Sequence, residues 1–331
     1  MIDGAFRTIE FSPGTDWPAE IGLHLPDEDE RILGFVETGR DEDELTSSRR
    51  PVVSQGPTRA YCVRDVMIAD GAVMSRKSYE IIRSEKRRPW VSDTIEEYDE
   101  RTFCSTAVSE QYWGHWLKDV FCHELLAQQI GAAPLVLPNR NRLHEDGYRA
   151  LLGMPAHSVR VAHVEKLWLL EDHEINAGRV ARMDKIGSKL RSVHDVPGPS
   201  RVYLKRGVTG IGRTLLNEAE IIAALERRGF AIVAPEELEP DKIVATMRSA
   251  KLVIAVEGSA MSHATIIMQP GSGLLAIEPP MRFNMLPRTY CTALGLTLGY
   301  TVGDPGENDD FSQPIDRLLQ VVDMMEDAIG L

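Results

Sequence analysis

Between residues 201 and 302 the chain alternates short, continuous apolar runs with amphipathic stretches: RVYLK, AIVAP, LVIAV, LLAIE and LTLGYTV. A strand with no polar face must be covered on both sides, so runs of this kind predict parallel β-strands flanked by helices. Steps of about 20 to 30 residues leave room for a right-handed crossover helix between successive strands. We therefore expect strands at 202–206, 231–235, 252–257, 274–278 and 296–302. Helices are expected at 215–228, 240–250, 259–269 and 311–328.

Upstream the pattern is less regular. Residues 1 to 60 are rich in Pro, Gly and charge, and the acidic runs PDEDE at 26–30 and DEDE at 41–44 read as solvated loops. YCVRDVMIADGAVMS, residues 61–75, alternates apolar and polar positions around Asp70 and Gly71, the signature of a β-hairpin. The basic stretch RSEKRRPW at 83–90 reads as an exposed charged turn or as an anionic-substrate patch beside Trp90. Trp113, Trp116, Leu117, Val120 and Phe121 recur at helical spacing, predicting a helix that ends near Gly131. PLVLPN then reads as a strand, RLHEDGYRALLG as a helix, SVRVAHVEKLWLL as one or two strands, and 176–194 as a helix. VPGPS at 196–200 has the breaks of a linker, so the expected domains are 1–195 and 196–331.

A chain of 331 residues is long enough for two such domains. Its 50 acidic against 37 basic residues give a formal charge of −13, which repels a phosphate backbone and argues against nucleic acid. Cys62, Cys104, Cys122 and Cys291 form no CxxC pair, so buried thiols in a reducing compartment are expected. The first residues lack a basic and apolar leader, and no run approaches the roughly 20 apolar residues of a membrane span. A cytoplasmic protein without a transmembrane segment is the expectation.

In an open parallel sheet, ligands bind beyond the carboxyl ends of the strands. There LVIAV runs into Glu257, Gly258, Ser259, Ala260 and Met261, where small residues let a pyrophosphate approach backbone amides. Strand 202–206 ends in Lys205 and Arg206, followed by Arg213 and by Asn217 as the expected N-cap of the next helix. Two guanidinium groups there would neutralise a diphosphate leaving group. Glu278 ends another strand, placed to accept hydrogen bonds from ribose hydroxyls. Taken singly, a Gly-Ser helix start is a cap and either arginine a surface ion pair; in adjacent loops they read together as a site.

In the first half, His115, Asp119 and His123 fall four residues apart on one helical face. Either Asp119 or His115 could take a proton as general base, while a satisfied polar helix edge is the structural alternative. Spread over about 12 Å of helix, the three are too far apart for one metal ion unless the helix breaks, so no metal is expected.

The segments VYLKR, GIGRTLLNEAEI, GFAIVAPEEL and KLVIAVEGSAMSHATIIMQPGSGLLAIEPP, with YWGHWLKDVF and the Asp70 hairpin, resemble glycosyltransferase family 61 over about residues 60 to 305. That resemblance implies a GT-B-like α/β fold of two Rossmann-like domains facing a cleft, and it leaves open that the last helix crosses back to the first. It also implies metal-independent, inverting transfer from a nucleotide-sugar donor to a saccharide or glycolipid acceptor in bacterial capsule or exopolysaccharide synthesis. No cofactor beyond that substrate is implied, and a homo-oligomer is left open. Carried over by residue, it assigns Arg206, Arg213, Asn217, Glu218, Gly258, Ser259 and Ala260 to the donor site, with His115 and Asp119 at the cleft. Glu257 stands where the family usually has His. A carboxylate about 5 Å from a phosphate costs on the order of 3 kcal/mol at an effective dielectric of about 20, so Glu257 must turn to hydroxyls or donor binding is altered. A non-catalytic saccharide-binding relative and a nucleotide-sugar epimerase or hydrolase are the alternatives.

Overall fold

The computed structural model describes residues 2–36, 45–46, 49–84, 94–140, 142–207 and 214–331. They form two compact units: Met1–Thr15 with Gln55–Ile186, and Asp16–Ser54 with Gly187–Leu331. The expected linker VPGPS thus lies within the second unit, and residues 16–54 belong with that unit too.

The amino-terminal strand β1 (Arg7–Ser12) is followed by a ribbon of β2 (Thr15–Pro18) and β3 (Val52–Gln55). Then come β4 (Thr58–Ala69), β5 (Ala72–Met74), β6 (Tyr79–Ile81), β7 (Glu96–Phe103), β8 (Pro134–Leu135) and β9 (Val161–Glu171). The sheet of unit 1 runs β6-β5-β4-β9-β7-β8, with β1 paired to β4. Among the described residues only β7–β8 and β7–β9 are parallel; the other four pairings are antiparallel. Unit 1 is therefore α/β but not Rossmann-like, because its long strands β4 and β9 pair antiparallel along Arg59↔Glu171 to Ala69↔Val161.

The hairpin forms as its residues dictate. Asp70 (φ 43°) and Gly71 (φ 86°) both take positive φ, the type I′ turn whose twist matches the strands it joins. A side chain at Gly71 would bring its Cβ within 2.2 Å of the Arg83 carbonyl oxygen, so glycine is required twice over. Val63, Val66, Ile68 and Val73 pack with Leu135, Leu137, Val164 and Leu167 beneath it.

The predicted 113–131 helix is present but broken by a π-helical turn, Trp116–Val120, between Trp113–His115 and Phe121–Ile130. Gly131 ends it at φ 83°, the left-handed stop that glycine permits. A capping box of Thr106 and Ser109 starts the short helix before it.

Unit 2 holds β10 (Arg201–Leu204), β11 (Ala231–Val233), β12 (Leu252–Val256), β13 (Gly273–Glu278) and β14 (Thr297–Val302). All four pairings are parallel, in the order β11-β10-β12-β13-β14. Helices Glu218–Arg227, Pro240–Met247 and Met261–Ile267 occupy the predicted crossovers, and Leu286–Leu294 adds one that periodicity did not signal. Leu318, Val321, Val322 and Met325 of the last helix, Ile315–Ile329, share a core with Leu275 and Ile277. That helix covers the sheet of its own unit.

Two expectations for residues 1–60 need correction. Arg7–Ser12 is a strand, because the alternation RTIEFS pairs with β4 from Arg7↔Cys62 to Ser12↔Thr58. The run PDEDE is not fully solvated: Glu28 is wholly buried, accepting from Val302 N at 2.6 Å, Thr301 Oγ1 at 3.2 Å and Arg317 at 2.8 Å. Leu23 meanwhile exchanges backbone bonds with Leu298 and Tyr300, which covers the edge of β14. The run 41–44 lies outside the described residues. Glu28→Ala should leave the Val302 amide and Arg317 without their acceptor and lower unfolding free energy by about 2–4 kcal/mol in urea titrations. A loss below about 0.5 kcal/mol, the size of an ordinary surface change, would show the clasp to be incidental.

Candidate functional site

With β10 as its first strand, the sheet of unit 2 reads 2-1-3-4-5, and chain direction across it reverses between β10 and β12. Loops leaving two neighbouring strands in opposite directions open a crevice at that point, where open α/β sheets bind ligands. Arg206 follows β10 and Glu257–Ala260 follow β12, so both predicted loops meet there. A guanidinium nitrogen of Arg206 donates to the Glu257 carbonyl at 3.3 Å, bridging the reversal. Gly258 takes φ 146°, a conformation open to glycine and strained for other residues. The backbone amides of Ser259 and Ala260 precede the helix Met261–Ile267.

Glu218 is bonded within its own unit. Its Oε1 accepts from the Tyr203 hydroxyl at 2.9 Å and from the Arg206 backbone amide at 3.1 Å, so it anchors the loop that carries Arg206. Asn217 is not a side-chain N-cap. Its amide group instead exchanges two hydrogen bonds with the Gln313 backbone, at 2.9 and 3.0 Å, which ties the helix start to the approach of the last helix. Arg213 lies outside the described residues.

Glu257 and Glu278 end the paired strands β12 and β13, in register through Val256↔Ile277. Asn284 joins them: its Nδ2 donates to Glu257 Oε1 at 2.8 Å and its backbone amide to Glu278 Oε2 at 3.3 Å. Asn284 Oδ1 accepts from Leu286 N at 3.0 Å, which fixes the orientation of its amide. The carboxylate that the sequence placed against a phosphate is thus held toward the loop after β13. Two carboxylates side by side on strand ends are suited to accept from vicinal hydroxyls. Asn284 was missed because a lone Asn in a Pro-rich loop carries no spacing signal.

In unit 1, His115 Nδ1 lies 3.0 Å from Asp119 Oδ2. The other oxygen, Oδ1, accepts from the wholly buried guanidinium of Arg179. The His115 side chain keeps 28% of its exposure and that of Asp119 only 9%, so the imidazole is the group a substrate can reach. Burial on its own would raise the Asp119 pKa; the Arg179 charge, with the His115 hydrogen bond added, overrides it and holds the carboxyl well below the usual carboxylate range. Behind the pair, Asp172 accepts from Thr58 Oγ1 at 2.6 Å and from Arg182. Asn176 bonds Thr58 Oγ1 at 2.9 Å and the Arg179 amide at 3.0 Å. His123 donates from Nδ1 to the Cys104 carbonyl at 3.0 Å, with Nε2 3.8 Å from Asp172. His123 thus does not join His115 and Asp119, and among the described residues no cluster of His, Cys, Asp or Glu could hold a metal ion. Arg179 and Arg182 escaped the sequence reading because charges in a predicted helix look solvated, and Asp172 because it falls in the polar stretch EDHE between predicted elements; the one signal is the i, i+3 spacing of the arginines on the side of Met183 and Ile186.

A carboxyl whose folded pKa is lowered stabilises the fold above its unfolded pKa, about 4, and loses that contribution as pH falls further. The stability difference between wild type and Asp119→Asn should therefore narrow as pH drops from about 5 to 2. Denaturant titrations at each pH check this, and a difference that does not narrow would mean Asp119 is not ion-paired.

Among known families, that described as Glycosyltransferase 61 matches residues 113–275. The span takes in both His115–Asp119 and Arg206–Ala260. No curated protein matches the chain.

Proposed function

Because residues 113–275 match the family described as Glycosyltransferase 61, we propose that the chain is a member of it and transfers a sugar from a nucleotide-sugar donor to a saccharide or glycolipid acceptor. Donor binding is assigned to unit 2. Arg206 and the amides of Gly258, Ser259 and Ala260 face the diphosphate at the strand reversal, where cation and N–H donors stabilise the departing charge. Glu257 and Glu278 take hydroxyls of the ribose or the sugar, which removes the conflict between Glu257 and a phosphate. Glu218 and Asn217 act as supports for these loops, and the family resemblance assigns Arg213 to the same donor site.

Proton abstraction is assigned to unit 1. The observation that carries this is the chain Arg179–Asp119–His115. Asp119, held ionised by Arg179, accepts from Nδ1–H of His115 and so leaves Nε2 as the basic nitrogen for the acceptor hydroxyl. Of the two candidate bases the sequence offered, His115 takes the proton and Asp119 orients it. Inversion, independence of metal and a role in bacterial capsule or exopolysaccharide synthesis follow from the family resemblance; of the two Rossmann-like domains it also implies, only the parallel sheet of unit 2 fits.

Calorimetry and turnover with a panel of nucleoside-diphosphate sugars test the assignments. His115→Ala should lower kcat by about 10²-fold or more with donor Kd nearly unchanged. Arg206→Ala should weaken donor binding about tenfold or more, as for the loss of a charge-assisted hydrogen bond. Wild-type behaviour in both variants would remove the site. Binding of no nucleotide sugar at all would favour the saccharide-binding alternative.

A further inference from the structure

Arg282, in the loop that leaves β13, differs from its fellows. Every other buried or half-buried arginine described in unit 2 has an acceptor. Among the described residues the Arg282 side chain forms no hydrogen bond and no ion pair. Carboxylates are close in the same loop region, yet Glu257 and Glu278 are held by Asn284, two residues on, and neither pairs with Arg282.

The backbone around it is pinned on both sides. The Pro280 carbonyl accepts from Leu33 N at 2.7 Å and from Gly34 N at 3.0 Å, Arg282 N donates to the Pro279 carbonyl at 3.1 Å, and Phe283 N donates to the Gly34 carbonyl at 2.8 Å. Phe283 is buried edge-on against Phe35 and Tyr300. The guanidinium is half-buried, and its Nε is shut off from water without an acceptor, so the terminal nitrogens are the part a ligand can meet. A cation that has lost hydration and gained no partner costs free energy until an anion arrives. Because β10, β12 and β13 are neighbours and parallel, Arg206, the Gly258–Ala260 amides and Arg282 follow one another along the same carboxyl-terminal edge. Strands are spaced by about 4.8 Å, which sets the loop of Arg282 one spacing beyond those amides and two beyond the loop of Arg206.

We propose that Arg282 reads the sugar to be transferred, and that this sugar is acidic: a nucleotide-activated uronic acid whose C6 carboxylate meets the terminal nitrogens of Arg282. The inference rests on the assignment of donor binding to unit 2. A donor whose diphosphate lies on Arg206 and the Gly258–Ala260 amides extends one of its two ends over the loop after β13. Ribose and base are neutral, so the end that answers an unpaired cation is the sugar. Guanidinium and carboxylate match as planar forks, which adds geometric selectivity to charge. C6 lies across the ring from C1, where the diphosphate departs, so the charge is read away from the reacting bond. A neutral sugar in the same place leaves the guanidinium as it is in the empty site.

The test is calorimetry of the full chain with donors matched in all but the carboxylate: UDP-glucuronate with UDP-glucose, UDP-galacturonate with UDP-galactose, and GDP-mannuronate with GDP-mannose, beside UDP and GDP alone. In at least one pair the acidic donor should bind about tenfold or more tightly than the neutral one, the worth of a charge-assisted hydrogen bond. That preference is read in the wild type and needs no variant. In Arg282→Gln the ratio of the two affinities should fall to within about twofold of one. Arg206→Ala, by contrast, should weaken both members of the pair by a similar factor, since it removes a contact to the diphosphate they share. Equal binding within every pair, or a preference that survives in Arg282→Gln, would overturn the proposal while leaving the donor site in place. An Arg282→Gln variant that loses affinity for the bare nucleotide as much as for the acidic donor would also overturn it, by making Arg282 a diphosphate contact. If the wild type binds no nucleotide and no nucleotide sugar, the donor assignment itself fails and this inference falls with it.

Discussion

A guanidinium sealed from water must find carboxylates, since an unpaired buried charge costs several kcal/mol. Arg179, wholly buried, finds Asp119 on the π-helical turn and the Asp172 backbone carbonyl just past β9. Arg182, one turn further along the same helix, takes the Asp172 carboxylate. Two acids and two bases thus balance inside unit 1, and helix 113–130, strand β9 and the helix that starts at Ala177 are held by one set of bonds. Thr58 Oγ1 donates to the same Asp172 oxygen, Oδ1, that Arg182 takes, and Asn176 ties Thr58 Oγ1 to the Gly56 carbonyl. Hydrogen bonds inside a buried network of this kind are stronger than in water because the local dielectric is low. The π turn belongs to the same constraint: such turns are uncommon and gather at functional positions, and this one carries Asp119.

In the proposed reading, that arrangement separates the charge that orients from the group that reacts. Asp119, held as an anion by Arg179, is hydrogen-bonded to His115 and so fixes its ring. Unit 2 shows the same division. Glu218 spends its carboxylate on Tyr203 and on the Arg206 amide, and Asn217 spends its amide on Gln313. Both residues were expected at the donor site, and both also hold the loops around it. Asn284 does for the carboxylates after β12 and β13 what Glu218 does for the loop after β10.

Much of the fold was written in periodicity. The five parallel strands of unit 2, their crossover helices, the Asp70–Gly71 hairpin and the Gly131 stop each follow from a local pattern, because burial on both faces, a two-residue turn and a left-handed cap each demand particular residue types. Strand β7 was not legible. EEYDERTF has the composition of a surface loop, and it becomes a strand only because β9 and β8 offer it parallel partners. Glu28 misled in the same way, since an acidic run reads as solvated until Val302, Thr301 and Arg317 close over it.

By itself, then, the sequence determined where the backbone repeats and which loops leave the strand ends, for those depend on near neighbours along the chain. It also put His115 and Asp119 on one helical face, as a spacing of four must. Only tertiary structure decided what each polar side chain does there. Arg179 is 60 residues from Asp119, Asn284 is 27 from Glu257, and Arg160 is 90 from Asp70. A hydrogen bond is set by direction and distance in space, and neither is encoded in any window of sequence short enough to read.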